Sequence, residues 1–173
     1  MNWLERIEES SARERKLLIL SSVMAVLVVL SDQVTKWFFV LNYKLGESSS
    51  LIPGFLNFTY VRNLGAAWSV LSGKVWLLFI TGLAAAAAII WYFRKLAEGC
   101  AERYFALMLV LGGIAGNSFD RAFHGAVVDF IHVHYYNIWH YPIFNVADIS
   151  ICCGVGIFLI SSFFRKPQEK QNG

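Results

Sequence analysis

The chain is 173 residues long, 57% hydrophobic and only 16% charged, a balance that excludes an ordinary water-soluble domain and requires lipid around its apolar stretches. The net charge of +3 is small, and the basic residues sit beside apolar segments and form no groove, which excludes nucleic acid as a partner and points to membrane orientation. The three cysteines, with Cys152 and Cys153 adjacent in an apolar run and Cys100 in a charged stretch, outline no disulfide framework and read as structural.

Taken in chain order, residues 17–30 are apolar or small and continue past Asp32-Gln33-Val34-Thr35-Lys36 into an aromatic run at Trp37. They predict a first span over residues 17–37 with Asp32 near its end. Arg13, Arg15 and Lys16 ahead of this segment would also suit a cleavable signal peptide, but no small-x-small cleavage site follows and the aromatic run resembles an interfacial anchor. Residues 51–62 combine apolar and aromatic residues, partial alternation and a Pro53-Gly54 turn, predicting a small sheet on the outer membrane surface. Residues 65–71 predict a short interfacial helix.

Residues 75–93 form a second span of the length a bilayer core of about 30 Å demands. A glycine-rich third span covers residues 104–120, where Gly112 and Gly116 form a small-xxx-small pair for close helix contact, and the alanines at 84–88 offer a similarly flat surface. The fourth span covers residues 143–164 and carries Asn145 and Asp148 near its start. The expected fold is an all-α integral membrane bundle of four transmembrane helices with a small extracytoplasmic β-sheet and a short interfacial helix, as one domain over residues 1–173.

Orientation follows from the basic residues, which are retained on the cytoplasmic side. Arg6, Arg13, Arg15, Lys16, Arg94, Lys95, Arg103, Arg165, Lys166 and Lys170 fall on one side; Lys36, Lys44, Arg62, Lys74 and Arg121 fall on the other, whose loops are longer. Both termini are therefore predicted to be cytoplasmic. With this topology Asp32, Asn63, Asn117, Asp120, Arg121, Asp129, Asn145 and Asp148 all emerge on the outer side, and nothing comparable is expected on the inner side. Ionisable groups at membrane depth cost about 2.5–3.5 kcal/mol each at a helix centre, so several at one level suggest a working site.

Asp32, Asp120 and Arg121 could equally cap helices or pair across the bundle, Asp32 with Lys36 at i,i+4 for instance. Asp129 and Asp148 differ, because each lies between apolar residues with no cation close in sequence. Two such carboxylates brought together repel if both ionise, so one should hold a raised pKa and the pair should share a proton. That is the arrangement of an aspartyl protease.

At these residues the sequence resembles the bacterial lipoprotein signal peptidases (signal peptidase II). The resemblance is carried by Asp32-Gln33-Val34-Thr35-Lys36, by Asn63-Leu64-Gly65-Ala66-Ala67-Trp68, by the run from Gly112-Gly113 through Asn117 to Asp120-Arg121 leading to Val127-Val128-Asp129-Phe130, and by Phe144-Asn145-Val146-Ala147-Asp148, all in the family's order. It implies a membrane-embedded aspartyl peptidase domain in which Asp129 and Asp148 are catalytic, one activating water and the other protonating the scissile group. It further implies that Asn63 and Arg121 hold the substrate backbone, that Asn117, Asn145 and Gly113 support the site, and that Asp32, Lys36 and Asp120 brace the fold, with no metal and no cofactor. The implied substrate is a prolipoprotein whose cysteine carries diacylglycerol, cut just before that cysteine. The implied setting is the bacterial cytoplasmic (inner) membrane, with the site near the outer leaflet, membrane lipid as surroundings and the protein a monomer.

Two positions depart from the family's pattern: Trp68, where phenylalanine is more frequent, and Ile149, where serine often follows the aspartate. They bear on the shape of the substrate-facing surface and leave the chemistry intact. The competing readings are a zinc-dependent membrane protease using His132, His134 and His140, which lacks a His-Glu-x-x-His helix, and a small proton-coupled transporter, which would need polar access from both sides.

Overall fold

The computed structural model describes residues 3–65, 71, 73–136 and 138–164. Among the described residues five helices and four strands follow one another: α1 (Trp3–Asn42), β1 (Ser48–Ile52), β2 (Leu56–Asn63), α2 (Val75–Trp91), α3 (Phe93–Ala97), α4 (Ala101–His124), β3 (Val127–Tyr135), β4 (Trp139–His140) and α5 (Val146–Phe164). Residues 66–70, which hold most of the expected interfacial helix, lie outside the described set.

The bundle buries polar and charged side chains beside its apolar core and turns many large apolar side chains outward, unlike a protein folded in water. Among its largest fully buried side chains are Lys36, Asn145, Asp32, Asp120 and Asp129, while Ile19, Leu27, Val34, Trp37, Trp76, Ile80 and Phe163 are exposed. Lipid accepts such an apolar surface and gives exposed polar groups no partners, so these must satisfy one another inside. Residues 11–42 and 146–164 are long and apolar enough to cross a bilayer; α2 is apolar and shorter.

Helix α4 is the hub, packed against α1, α2 and α5. Small residues set its distance from α5. A Cβ on Gly113 would strike the carbonyl of Ala147, and one on Gly154 of α5 would crowd the carbonyl of Ala106, while Gly116 leaves room for the Asp32 carboxylate of α1. Between α4 and α5 Ser150 Oγ donates to the Leu109 carbonyl at 2.5 Å, an interhelical bond that has no water to compete with it in lipid. On its other side α4 meets α1 at Gly112, beside the carbonyl of Ala25.

Sheet formation goes further than the sequence predicted. Strands β1 to β4 pair antiparallel in the order β1-β2-β3-β4, so the small sheet expected over residues 51–62 is part of a four-stranded sheet. The stretch that carries His132, His134 and His140 lies in β3 and β4. Phe39 at the end of α1 stacks on Phe130 of β3, with ring centroids 4.3 Å apart, and meets Phe58 of β2 at 5.3 Å. These contacts fix the sheet over one end of the bundle.

The opposite end corrects a second expectation. Arg103, assigned to an inner loop, is 6% exposed and lies in the first turn of α4, where it pairs with Glu98 at 2.6 Å and donates to Ser161 Oγ at 3.1 Å. Ser161 in turn donates to Glu102 at 2.9 Å. A buried polar cluster therefore exists at each end of the molecule.

Candidate active site

The site begins with the pairing of β2 and β3, which sets Val61 opposite Asp129 and Asn63 opposite Val127. Asn63 is thus a diagonal neighbour of Asp129 on one face of the sheet, and its Nδ2 donates to Asp129 Oδ2 at 2.9 Å. Its Oδ1 accepts the Gly65 N–H at 2.9 Å, a local turn contact that fixes which end of the amide faces the carboxylate.

Phe144 joins β3 to α5. Its carbonyl accepts the N–H groups of Phe130 and Ile131, and its own N–H donates to Ile131, so the start of α5 is tied beside Asp129. Asn145 then caps the helix. Its Oδ1 accepts the Asp148 N–H at 3.0 Å while its backbone N–H donates to Asp148 Oδ2 at 3.1 Å, the reciprocal geometry of a capping box. The same side chain donates through Nδ2 to Asp129 Oδ1 at 2.6 Å. One asparagine therefore touches both carboxylates.

Asn117 of α4 completes the frame, donating to Asp148 Oδ1 at 2.8 Å. Its Oδ1 accepts from Asn145 Nδ2 and from Lys36 Nζ, each at 3.1 Å. Lys36 is 2% exposed and spends its three donors on Asn117, Asp32 at 2.8 Å and Asp120 at 2.9 Å. The two bracing carboxylates reach further: Asp32 Oδ1 accepts the Ala147 N–H in the first turn of α5 at 2.9 Å, and Asp120 Oδ2 accepts the Val128 N–H of β3 at 3.0 Å. These bonds tie α1, α4, α5 and β3 into one network around Asp129 and Asp148. Gly113, whose missing side chain lets α4 lie against Ala147, keeps Asn117 and Asp148 within reach of each other.

A cavity of about 180 Å³ opens on this frame, lined by Asn63, Asn117, Arg121, Asp129 and Asp148 on its polar side and by Tyr141, Ile143, Ile151 and Cys152 among its apolar walls. Burial, and then the negative charge of Asp148, push the Asp129 carboxyl up to about 7. At neutral pH it therefore carries a substantial share of the protonated form beside a second carboxylate, which general acid–base hydrolysis requires.

Three features escaped the sequence reading. Gln33 Nε2 donates to Asp32 and Asp120 at 3.1 Å each, crossing from α1 to α4; its place between Asp32 and Lys36 in an apolar span was the available signal. Cys152, taken as structural, is exposed and lines the cavity one helical turn beyond Asp148. The apolar walls gave no local signal, because lipid-facing and substrate-facing residues look alike in sequence. Ile149 is 42% exposed and is not part of the lining; Trp68 falls outside the described residues.

His132, His134 and His140 do cluster, with ring centroids 5.1–5.7 Å apart. His132 Nε2 lies 3.2 Å from His140 Nδ1, and His134 Nδ1 contacts the Tyr136 carbonyl. Among the described residues no group of three or more His, Cys, Asp or Glu side chains is placed to hold a metal ion.

Comparison with known proteins adds an independent line. A family model for Signal peptidase (SPase) II, Peptidase_A8, matches residues 24–164. The lipoprotein signal peptidase of Bacillus velezensis is 40% identical over 149 residues, covering 86% of this chain and 97% of its own. That of Bacillus subtilis is 40% identical over 149 residues, covering 86% and 96%. Two solved bacterial membrane enzymes, both determined by the in meso method, superpose with TM-scores of 0.79 and 0.75 at 38% and 41% identity, covering 89% and 85% of this chain and 93% and 94% of theirs.

Proposed function

The chain belongs to the signal peptidase II family of aspartic peptidases, which remove signal peptides from prolipoproteins, and from that premise we propose that Asp129 and Asp148 hydrolyse the peptide bond just before a diacylglyceryl-modified cysteine. The observation that carries the assignment is the joint hold of Asn145 on both carboxylates beside the cavity.

Asp148 acts as the base. It sits at the N-terminus of α5 and accepts hydrogen bonds from the Asn117 side chain and the Asn145 backbone, which aim its oxygens and leave it room to take a proton from water. Asp129, with its raised pKa, donates a proton to the carbonyl oxygen as water adds to the carbon. Collapse of the tetrahedral species returns a proton to the departing amine. Asn63 and Arg121, both in the cavity lining, hold the extended substrate backbone, and the amide side chains position the dyad without adding charge.

The four helices α1, α2, α4 and α5 cross the membrane, both termini are cytoplasmic and the dyad lies near the outer leaflet of the bacterial inner membrane. The clustering of Arg13, Arg15, Lys16, Arg94 and Lys95 at the end away from the sheet supports this orientation. A signal peptide keeps its basic end inside, so its cleavage point arrives at the level of the dyad. One copy of the chain carries both carboxylates, and the enzyme works as a monomer.

The test is cleavage of a purified diacylglyceryl prolipoprotein in detergent with chelator present, with the product mapped by mass spectrometry. The reading requires a product that begins at the lipid-modified cysteine and a rate unchanged by chelator. A cut at another bond, equal cleavage of the unlipidated precursor, or loss of activity with chelator would overturn it.

A further inference from the structure

A second cavity lies at the other end of the bundle, far from the dyad in the fold. Its volume is about 820 Å³, and its lining includes Leu18 of α1, Ile90 and Trp91 of α2, and Tyr104, Met108 and Leu111 of α4. The cleft exists because α1 and α2 each pack on α4 and not extensively on each other, so α4 forms its floor and the two helices its walls. At its polar edge stand Arg15 and Arg94, with Glu14 the lone acidic residue in the lining. Both guanidinium groups are on exposed residues, and among the described residues neither forms an ion pair.

We propose that this cleft binds an anionic phospholipid, its phosphate held between Arg15 and Arg94 and its acyl chains lying along Leu18, Ile90 and Leu111. The cavity falls in the range of small-molecule sites, about 300–1,000 Å³, room for a head group and the upper part of the chains, the rest of which lie in the surrounding lipid. It has apolar walls running from a cationic rim, the complement of a lipid with a charged head. Arginine matches phosphate geometry with paired donors, and basic pockets between membrane helices are known to take anionic head groups. Charge sign decides against the other membrane-borne occupant, a signal peptide, whose own basic end would meet two arginines. The bound lipid bridges α1 and α2, which among the described residues are joined chiefly through α4.

The inference takes its leaflet from the orientation proposed above, but lipid binding itself can be tested without it. The protein is placed in nanodiscs of phosphatidylcholine, with or without one-third phosphatidylglycerol in both leaflets, and its thermal melting is followed. Phosphatidylglycerol should raise Tm by about 5 °C, the effect of a ligand well above its Kd on a protein of this size. The double variant R15Q/R94Q should lose most of that rise, R15K/R94K should keep part of it, and K44Q/K74Q, which removes the same charge at the sheet end, should keep it all. Native mass spectrometry should show one retained phosphatidylglycerol on the wild type and the K44Q/K74Q control, and this stands even if R15Q/R94Q fails to fold. An equal rise in every variant, no retained lipid, or the same shift from soluble glycerol phosphate alone would overturn the proposal. Because the readout is melting and bound mass, the outcome is separate from that of the cleavage assay.

Discussion

The two ends of this bundle each bury charge, and they do so differently. At the end away from the sheet Arg103 is matched by Glu98 and supported by Ser161, and the pairing closes on itself. At the sheet end four carboxylates, Asp32, Asp120, Asp129 and Asp148, share a frame in which Lys36 neutralises two through direct ion pairs. The remaining two are held by amides and face a cavity. Buried charge alone thus marks only a polar contact between helices. What marks chemistry is a surplus of one sign, held by neutral donors and left open to a substrate.

The comparison can be pressed hardest at Lys36. Lys36→Met leaves Asp32 and Asp120 buried without their cation, and should destabilise the protein by about 3–5 kcal/mol, read as a large fall in melting temperature or loss of the folded monomer in detergent. Unchanged melting would show that Lys36 does not hold the frame. Asn145→Ala should act on rate, lowering kcat by about 10²–10³-fold, with about 1–2 kcal/mol lost through the missing helix cap. A variant that melts early yet turns over normally would separate the cap from the dyad.

A smaller effect is expected from pH. Asp129 is raised from 3.8 to about 7 by burial and by the charge of Asp148, so its protonated, donating form predominates below that pH and is lost above it. kcat/KM should therefore fall on the alkaline side with a midpoint near 7, about tenfold per pH unit beyond it. Removing the Asn63 donor, which favours the charged form, should move that limb to higher pH; a flat profile from pH 6 to 9 would contradict the assignment. The smallest effect belongs to the other end. Glu98 is 62% exposed on its side chain, so Glu98→Gln should cost only about 0–1 kcal/mol and leave kcat untouched, as measured by melting and turnover on one preparation.

The polar residues of the site were legible because each stands out in an apolar stretch, and the order of the spans led to the expectation that they converge at one end of the bundle. Asp129 and Asp148 drew notice for having no cation nearby in sequence, and the structure gives each of them amide partners. The partners themselves were harder to read. That Asn145 reaches both carboxylates depends on Phe144 pairing with Ile131, and that Asn63 reaches Asp129 depends on a strand register joining residues 66 apart in sequence. Strand β3 was hidden because Val127–Tyr135 is apolar and aromatic throughout much of its length, with no clean alternation to betray a sheet. Arg103 was misread as a loop charge for a local reason: α4 starts at Ala101, earlier than its apolar run, and carries the arginine into the bundle.

The central claim is that the two carboxylates outside the Lys36 pairing perform the hydrolysis, and paired substitution tests it most directly. Turnover of the diacylglyceryl prolipoprotein would be measured with chelator for the intact protein, Asp129→Asn and Asp148→Asn, with folding checked by circular dichroism and melting. The account predicts that both variants stay folded and lose at least about 10³-fold in kcat, while chelator leaves the intact enzyme unaffected. Near-normal turnover by either folded variant would contradict it.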